Sequence, residues 1–137
     1  MKLVVEIITP QNEVFKGEAD EVIVPTVTGE LGILPNHASL LTQVLPGELI
    51  IKTGGKSQSF AIMGGYLEVS NNQVNVLGDY AVRAESIEIA KAQAAKEKAE
   101  KLMKEKTGRE DFATIEAGLR RSLLELKVAR KHRPKIF

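Results

Sequence analysis

The sequence has no cysteine, no tryptophan and only two histidines, and aromatic side chains make up 4% of its 137 residues. Without cysteine there is no disulfide, no thiol nucleophile and no thiolate metal ligand, and an intracellular compartment is the expectation. His37 and His132 are far apart, so no histidine pair at helical spacing is offered to a metal. Ser39 is close to His37, but no acidic residue is placed to orient the imidazole, and a triad needs that geometry. Long hydrophobic runs are missing as well, since no stretch approaches the roughly 20 apolar residues of a membrane-spanning helix. The start, M-K-L-V-V-E-I-I-T-P, fails as a signal peptide because Glu6 interrupts the apolar run and Pro10 closes it. Gly54-Gly55 and Gly64-Gly65 lack the G-x-G-x-x-G and G-x-x-x-x-G-K-[ST] contexts of phosphate loops, and read as turns or as kinks at a sheet corner. No catalytic residue and no metal ligand is therefore assigned.

What is present divides in two. The composition, 43% hydrophobic and 27% charged, is that of a globular chain of one domain or one domain plus an appendage. Its net charge of +1 hides a split. Residues 1–85 hold five Lys/Arg against ten Asp/Glu, a net −5, while 86–137 hold fourteen against eight, a net +6. Near the end, Arg120, Arg121, Lys127, Arg130, Lys131, Arg133 and Lys135 face only Glu125. Two halves of opposite sign suggest two jobs.

The first half reads as β. Leu3-Val4-Val5-Glu6-Ile7-Ile8 and Glu21-Val22-Ile23-Val24 are β-branched runs closed by Pro10 and Pro25. Further strands are expected at Glu48-Leu49-Ile50-Ile51-Lys52, Phe60-Ala61-Ile62-Met63, Tyr66-Leu67-Glu68-Val69 and Val74-Asn75-Val76-Leu77. The last two are joined through Asn71-Asn72, since asparagine tolerates the left-handed angles of a tight hairpin. Short strands punctuated by turns predict an antiparallel sandwich or small barrel over 1–85.

After Asp79 the pattern becomes helical. Ser86 is the expected N-cap of a first helix over 87–106, with Glu88 in its first turn. Gly108 breaks that helix, and Asp111 is placed to cap a second one running to about Lys131, with Pro134 beyond it. Ala92, Ala95, Ala99 and Leu102 form a small-residue stripe on the first helix; Phe112, Ile115, Leu119, Leu123 and Leu126 form a larger one on the second. An antiparallel hairpin over 86–137 follows, making the chain α+β and mainly β. Alanine buries little area, so the expected hairpin holds together modestly and grips the β-domain weakly. A detachable arm and a static hairpin both fit. For its basic second helix a nucleic-acid arm, a solvated face and a docking surface for an acidic protein are all open, although no aromatic residue interleaves with the charges between Phe112 and Phe137.

One stretch is too apolar for a loop that only faces water: G-E-L-G-I-L-P-N-H-A-S-L-L at 29–41. It is similar to the G-E-[LM]-G-[IV]-x-P-x-H-x-P/S-L-[LV] pattern of the epsilon subunits of bacterial F-type ATP synthase, the counterparts of the mitochondrial delta subunit. G-G-Y-L-E-V at 64–69 resembles a second pattern of that family, and V-x-V-L-x-x-x-A at 74–81 precedes an alanine- and lysine-rich hairpin in the same order. The resemblance covers essentially the whole chain.

It implies a β-sandwich that binds the gamma subunit and the proton-carrying ring of the membrane sector. It also implies a helical hairpin that, when extended, reaches the catalytic alpha/beta head. On this footing the chain is a non-catalytic rotor subunit, peripheral on the cytoplasmic side of a bacterial plasma membrane. Glu30, Leu31, Ile33, Leu34 and His37 become interface candidates, although Leu31, Ile33 and Leu34 also suit the sandwich core and His37 a satisfied turn. Arg120, Arg121, Lys127, Arg130 and Lys131 become candidates for an inhibitory contact with acidic residues of the beta subunits, and an extension of that contact is expected of the tail 131–137. Some family members hold regulatory ATP through [IL]-D-x-x-R-A. Here Ile87, Glu88, Lys91 and Ala92 stand at those positions and Arg121 is retained. Glu for Asp and Lys for Arg alter reach and fork geometry, and Glu125 adds like charge, so no cofactor is assigned. A small β-domain with a nucleic-acid-binding arm is the alternative.

Overall fold

Why the first 83 residues become one sheet is visible in the burial of alternate residues. In β1 (Leu3–Ile8), Leu3, Val5 and Ile7 are fully buried while Val4, Glu6 and Ile8 face outward. The same alternation continues in β3 (Glu21–Thr26) and β7 (Gln73–Gly78). With β2 (Glu13–Ala19), β4 (Gly29–Ile33), β5 (Leu40–Thr53), β6 (Lys56–Ser70) and β8 (Ala81–Arg83), these strands hydrogen-bond in the order β2-β1-β7-β6-β5-β3-β4, and β8 also pairs with β6. The neighbours are antiparallel except for the parallel pair β1–β7.

The computed structural model describes residues 2–105 and 109–132, the first three of the latter by backbone alone. The chain divides into two compact units, Met1–Arg83 and Ala84–Phe137. In the first, the β5–β6 hairpin is the spine: it pairs from Leu40 opposite Val69 to Thr53 opposite Lys56 around the Gly54-Gly55 turn. β7 and β8 lie along β6 in one register, bridged by Met63 N–H to the Tyr80 carbonyl at 2.9 Å and Asp79 N–H to the Gly64 carbonyl at 3.1 Å. The long strands thereby serve both layers of a β-sandwich. Its core contains Leu3, Ile7, Val22, Ile33, Leu49, Ile51, Phe60, Ile62 and Leu67, each at most 1% exposed. A buried Leu, Ile or Phe contributes about 1.5–3 kcal/mol.

Several sequence expectations change here. Of the two readings of Gly64-Gly65 the turn falls away and the kink stands: the pair lies inside β6, with φ +114 and +133. A Cβ on Gly65 would come within 1.9 Å of the Leu77 carbonyl oxygen, so only glycine permits this approach of β6 to β7. The run 29–33, read as loop, is strand β4, because its pairing with β3 supplies the hydrogen bonds that its glycines do not predict. β5 starts at Leu40 and runs through Pro46-Gly47 rather than beginning after them. β2 and β8 were not foreseen: Val14 and Phe15 are adjacent instead of alternating, and β8 is three residues long. Arg83, the last residue of β8, is 5.8 Å from the centre of the Phe15 ring and 5.7 Å from that of Phe60, and donates to the Val14 carbonyl at 3.5 Å.

The second unit opens with a 3-10 turn, Ala84–Ser86, so Ser86 is not an N-cap. α1 (Ile89–Lys104) is preceded by Glu88, which makes no side-chain capping bond. α2 (Arg109–Lys131) begins ahead of Asp111, which is therefore inside the helix. The expected break at Gly108 lies outside the described residues. The helices pack together, and Arg130 near the end of α2 donates to Gln93 Oε1 near the start of α1 at 3.1 Å, which makes the hairpin antiparallel. On α1, Ala92 and Ala99 are buried and Leu102 is half-buried, but Ala95 is exposed. On α2 the buried line runs through Ile115, Leu119, Ser122, Leu126 and Ala129, whereas Phe112 and Leu123 are 43% and 45% exposed. At 3.6 residues per turn those two lie about 60–80° off that line. Ser122 fits within it by donating its hydroxyl to the Gly118 carbonyl at 3.0 Å.

Candidate functional site

The sandwich has one end built from turns that carry exposed apolar groups. β4 presents Glu30 to solvent and leaves Leu31 half-buried, while Ile33 is 0% exposed. Ile33 is thus core and supports the loop from beneath, correcting its place among contact candidates. Leu34, one residue on, is 55% exposed. A turn over 34–37 follows, closed by His37 N–H to the Leu34 carbonyl at 3.1 Å. The His37 ring places Nδ1 2.7 Å from the Ala38 carbonyl. That nitrogen therefore carries the proton and donates, leaving Nε2 as the ring's other polar atom. His37 is half-buried against its own backbone, a satisfied turn histidine with one side still presented.

The larger surface was missed in the sequence. Strands β1, β7, β6 and β5 turn alternate residues outward, and among these stand Leu41, Tyr66 and Leu77, exposed by 71%, 58% and 57%. The register aligns them: Ile8 pairs with Leu77, Leu77 with Tyr66, and Leu41 with Glu68. They border a groove of about 350 Å³ whose polar edge includes Glu6, Glu68 and Asn75. The signal was available, because Leu77 occupies the wet parity of Gln73 and Asn75, but a single apolar residue there is unremarkable until the register stacks three together.

The β5–β6 turn is held differently. Asp20 accepts from Gly54 N–H at 2.7 Å and pairs with Lys2 Nζ at 3.1 Å, clasping the β5–β6 turn. The Gly54 hydrogen bond first, and Lys2 second, hold the Asp20 carboxyl below the ordinary carboxylate range.

The five basic candidates on α2 do not form one patch. Arg120, Lys127 and Lys131 are exposed and lie about 120–160° from the buried line, although Val128, also on the far side, is only 2% exposed. Arg121 lies about 120° from that line on its other side and pairs with Glu125 at 3.4 Å, Arg120 pairs with Glu116, and Arg130 turns toward α1 to meet Gln93. In the degenerate nucleotide motif, Ile87 and Ala92 are buried, while Glu88 Oε2 lies 3.3 Å from Lys91 Nζ. The acidic and basic positions of that motif thus form an exposed ion pair one helical turn apart. Among the described residues no cluster of three or more His, Asp or Glu could hold a metal ion.

Comparison with known proteins fits this two-part plan. Residues 2–84 match the family model described as ATP synthase, Delta/Epsilon chain, beta-sandwich domain, and residues 85–130 match that described as ATP synthase, Delta/Epsilon chain, long alpha-helix domain. The chain belongs to the ATP synthase delta/epsilon family. The ATP synthase epsilon chain of Dehalococcoides mccartyi is 45% identical over 133 residues, 96% of this chain and 95% of that one. That of Caldanaerobacter subterraneus subsp. tengcongensis is 40% identical over 128 residues, 93% of each. In structure, a chain of the Euglena gracilis mitochondrial ATP synthase matches with a TM-score of 0.75 at 23% identity, covering 96% of this chain and 82% of that chain, which shows a shared fold. Family membership accounts for the lack of a catalytic constellation, since the delta/epsilon chain is a non-catalytic subunit of its complex.

Proposed function

We propose that the chain is a central-stalk subunit of a proton-translocating F-type ATP synthase, with the sandwich as anchor and the hairpin as a brake on ATP hydrolysis. The observation that carries the anchor is the outward group of Leu41, Tyr66 and Leu77, which with the exposed Val4 and Leu45 leaves apolar area on the sheet face, while Leu34 is exposed in the turn after β4. Apolar area of that kind, rimmed by carboxylates, marks a protein contact. The outer sheet face is assigned to the gamma subunit, and Glu30 of β4 together with Leu34 and His37 of the turn that follows to the proton-carrying ring. No helix among the described residues is long and apolar enough to cross a membrane. The protein joins the cytoplasmic side of a bacterial plasma membrane through these partners.

The brake is assigned to the exposed basic residues of α2. Arg120, Lys127 and Lys131 meet acidic residues of the catalytic beta subunits, with Arg121 and Arg130 released from Glu125 and Gln93 to join them when the hairpin extends. Charge complementarity sets orientation and on-rate for such a contact. Regulatory ATP is no part of this reading, because Glu88 and Lys91 stand where the motif has Asp and Arg, which alters reach and fork geometry.

The test uses the cognate catalytic head with gamma, freed of this subunit, and compares hydrolysis after adding the full chain or a chain ending at Glu85. The shorter chain keeps the entire sandwich core. Binding by both with inhibition by the full chain alone is the expected result. If both bind and neither inhibits, the hairpin is not a brake and the protein is a coupling part only.

A further inference from the structure

The turn that presents Leu34 and His37 is held by a residue far away in sequence. Pro35 and Asn36 form its corner, and Asn36 has φ 68, the angle a type II turn demands of its third residue. Such a turn spends the N–H of its fourth residue, here His37, and not that of its third. Asn36 N–H goes elsewhere, donating to Asn72 Oδ1 at 2.6 Å across 36 residues of chain. Asn72 is in the β6–β7 hairpin turn, where Asn71 and Asn72 take φ 50 and 63, as a type I′ turn requires. Its carbonyl also accepts Val4 N–H at 2.8 Å.

One residue thus joins the 34–37 turn, the β6–β7 turn and the start of β1. The β6–β7 turn does not need the Asn72 amide, because glycine adopts φ 63 more easily than asparagine. What the amide oxygen adds is the grip on Asn36, the residue between Pro35 and His37. A loop fixed before contact loses less conformational freedom on binding.

We propose that Asn72 is a positioning residue for the end-loop contact: its side-chain oxygen holds the 34–37 turn so that Leu34 and His37 meet the proton-carrying ring in one orientation. This rests on the ring-contact reading above.

The test uses the full chain bound to gamma, and reads two quantities: amide hydrogen exchange at Asn36, and affinity for the detergent-solubilised ring. Asn72→Gly keeps the turn angle and removes the acceptor, Asn71→Gly is the control, Asn72→Asp restores an acceptor oxygen, and Leu34→Ser tests the ring contact itself. In Asn72→Gly, exchange at Asn36 rises while that at Val4 holds, and ring affinity falls about threefold to tenfold, the worth of one hydrogen bond. Asn71→Gly moves neither quantity, and Asn72→Asp recovers both. Unchanged exchange at Asn36 in Asn72→Gly overturns the latch. Faster exchange with undiminished affinity, while Leu34→Ser does weaken binding, overturns the positioning role and leaves the ring contact standing. If Leu34→Ser also leaves affinity intact, the ring reading fails and takes this proposal with it.

Discussion

The sandwich and the hairpin bury different things. In the sandwich the buried groups are branched and aromatic, Phe60, Ile62, Leu67 and Val76 among them, and their strands are drawn from distant parts of the chain. In the hairpin the face of α1 that is buried consists of Ala92 and Ala99, and the line on α2 includes Ser122 and Ala129. Large side chains locked by non-local pairing resist change at single points, because a displaced strand disturbs both neighbours. A hairpin whose first helix buries only small side chains asks less of each residue on that helix. This difference suits a rigid anchor joined to a responsive arm, and the proposed function divides the labour the same way.

Glycine offers the sharpest way to break that comparison. Gly65→Ala places a methyl on a backbone carbonyl at an angle L-residues avoid, so the sandwich should lose about 4 kcal/mol or fail to fold. Both tyrosines, Tyr66 and Tyr80, are in the sandwich unit and there is no tryptophan, so intrinsic fluorescence in urea follows that unit alone. A midpoint close to the parent's would mean β6 can move away from β7, and the rigid-anchor picture would be wrong.

In the hairpin the same substitution should have the opposite sign. Gly118 is within α2 and a Cβ there meets nothing within 4 Å. Gly118→Ala should therefore stabilise the helix by about 0.5–1 kcal/mol through its better propensity, raising helical ellipticity at intermediate urea. A loss would reveal a close approach at Gly118 and erase the contrast with Gly65.

The smallest effect is expected at the clasp. Asp20 has a lowered folded-state pKa, so its contribution is complete above the ordinary carboxylate pKa and disappears as pH falls through the lower folded value. Asp20→Asn should lower the sandwich midpoint modestly at pH 7, and the two proteins should converge as the solution is made more acid than the ordinary carboxylate range. A difference that stays constant with pH would assign the clasp to shape rather than charge.

Much of the fold was legible. The β-branched runs at 3–8 and 21–24, the tight turn at Asn71-Asn72 and the glycine-free stretch of the first helix all carry local signals that the structure honours. β2, β4 and β8 were illegible because their stability comes from partners: β4 is a strand through its register with β3, whatever its glycines suggest. The candidate site was legible only where the motif is contiguous. The stretch 29–41 could be recognised, but whether Ile33 faced the core or a partner could not, since a strand's parity is undefined until its register is known. The stripes on both helices were placed correctly in part, with Ala95, Phe112 and Leu123 on the wrong side of a curved buried line.

By itself the sequence determined the two architectures, the split of charge between them, and the residues whose backbone angles require Asn or Gly. Those features are local, fixed by φ and ψ preferences, by periodicity and by composition. Tertiary structure alone decided which apolar residues face outward together, that Gly65 must be bare, that Arg130 faces α1 while Lys127 does not, and that Asn72 holds a turn 36 residues away. Each depends on strand register or helix rotation, which no single segment specifies and which packing of the whole unit sets.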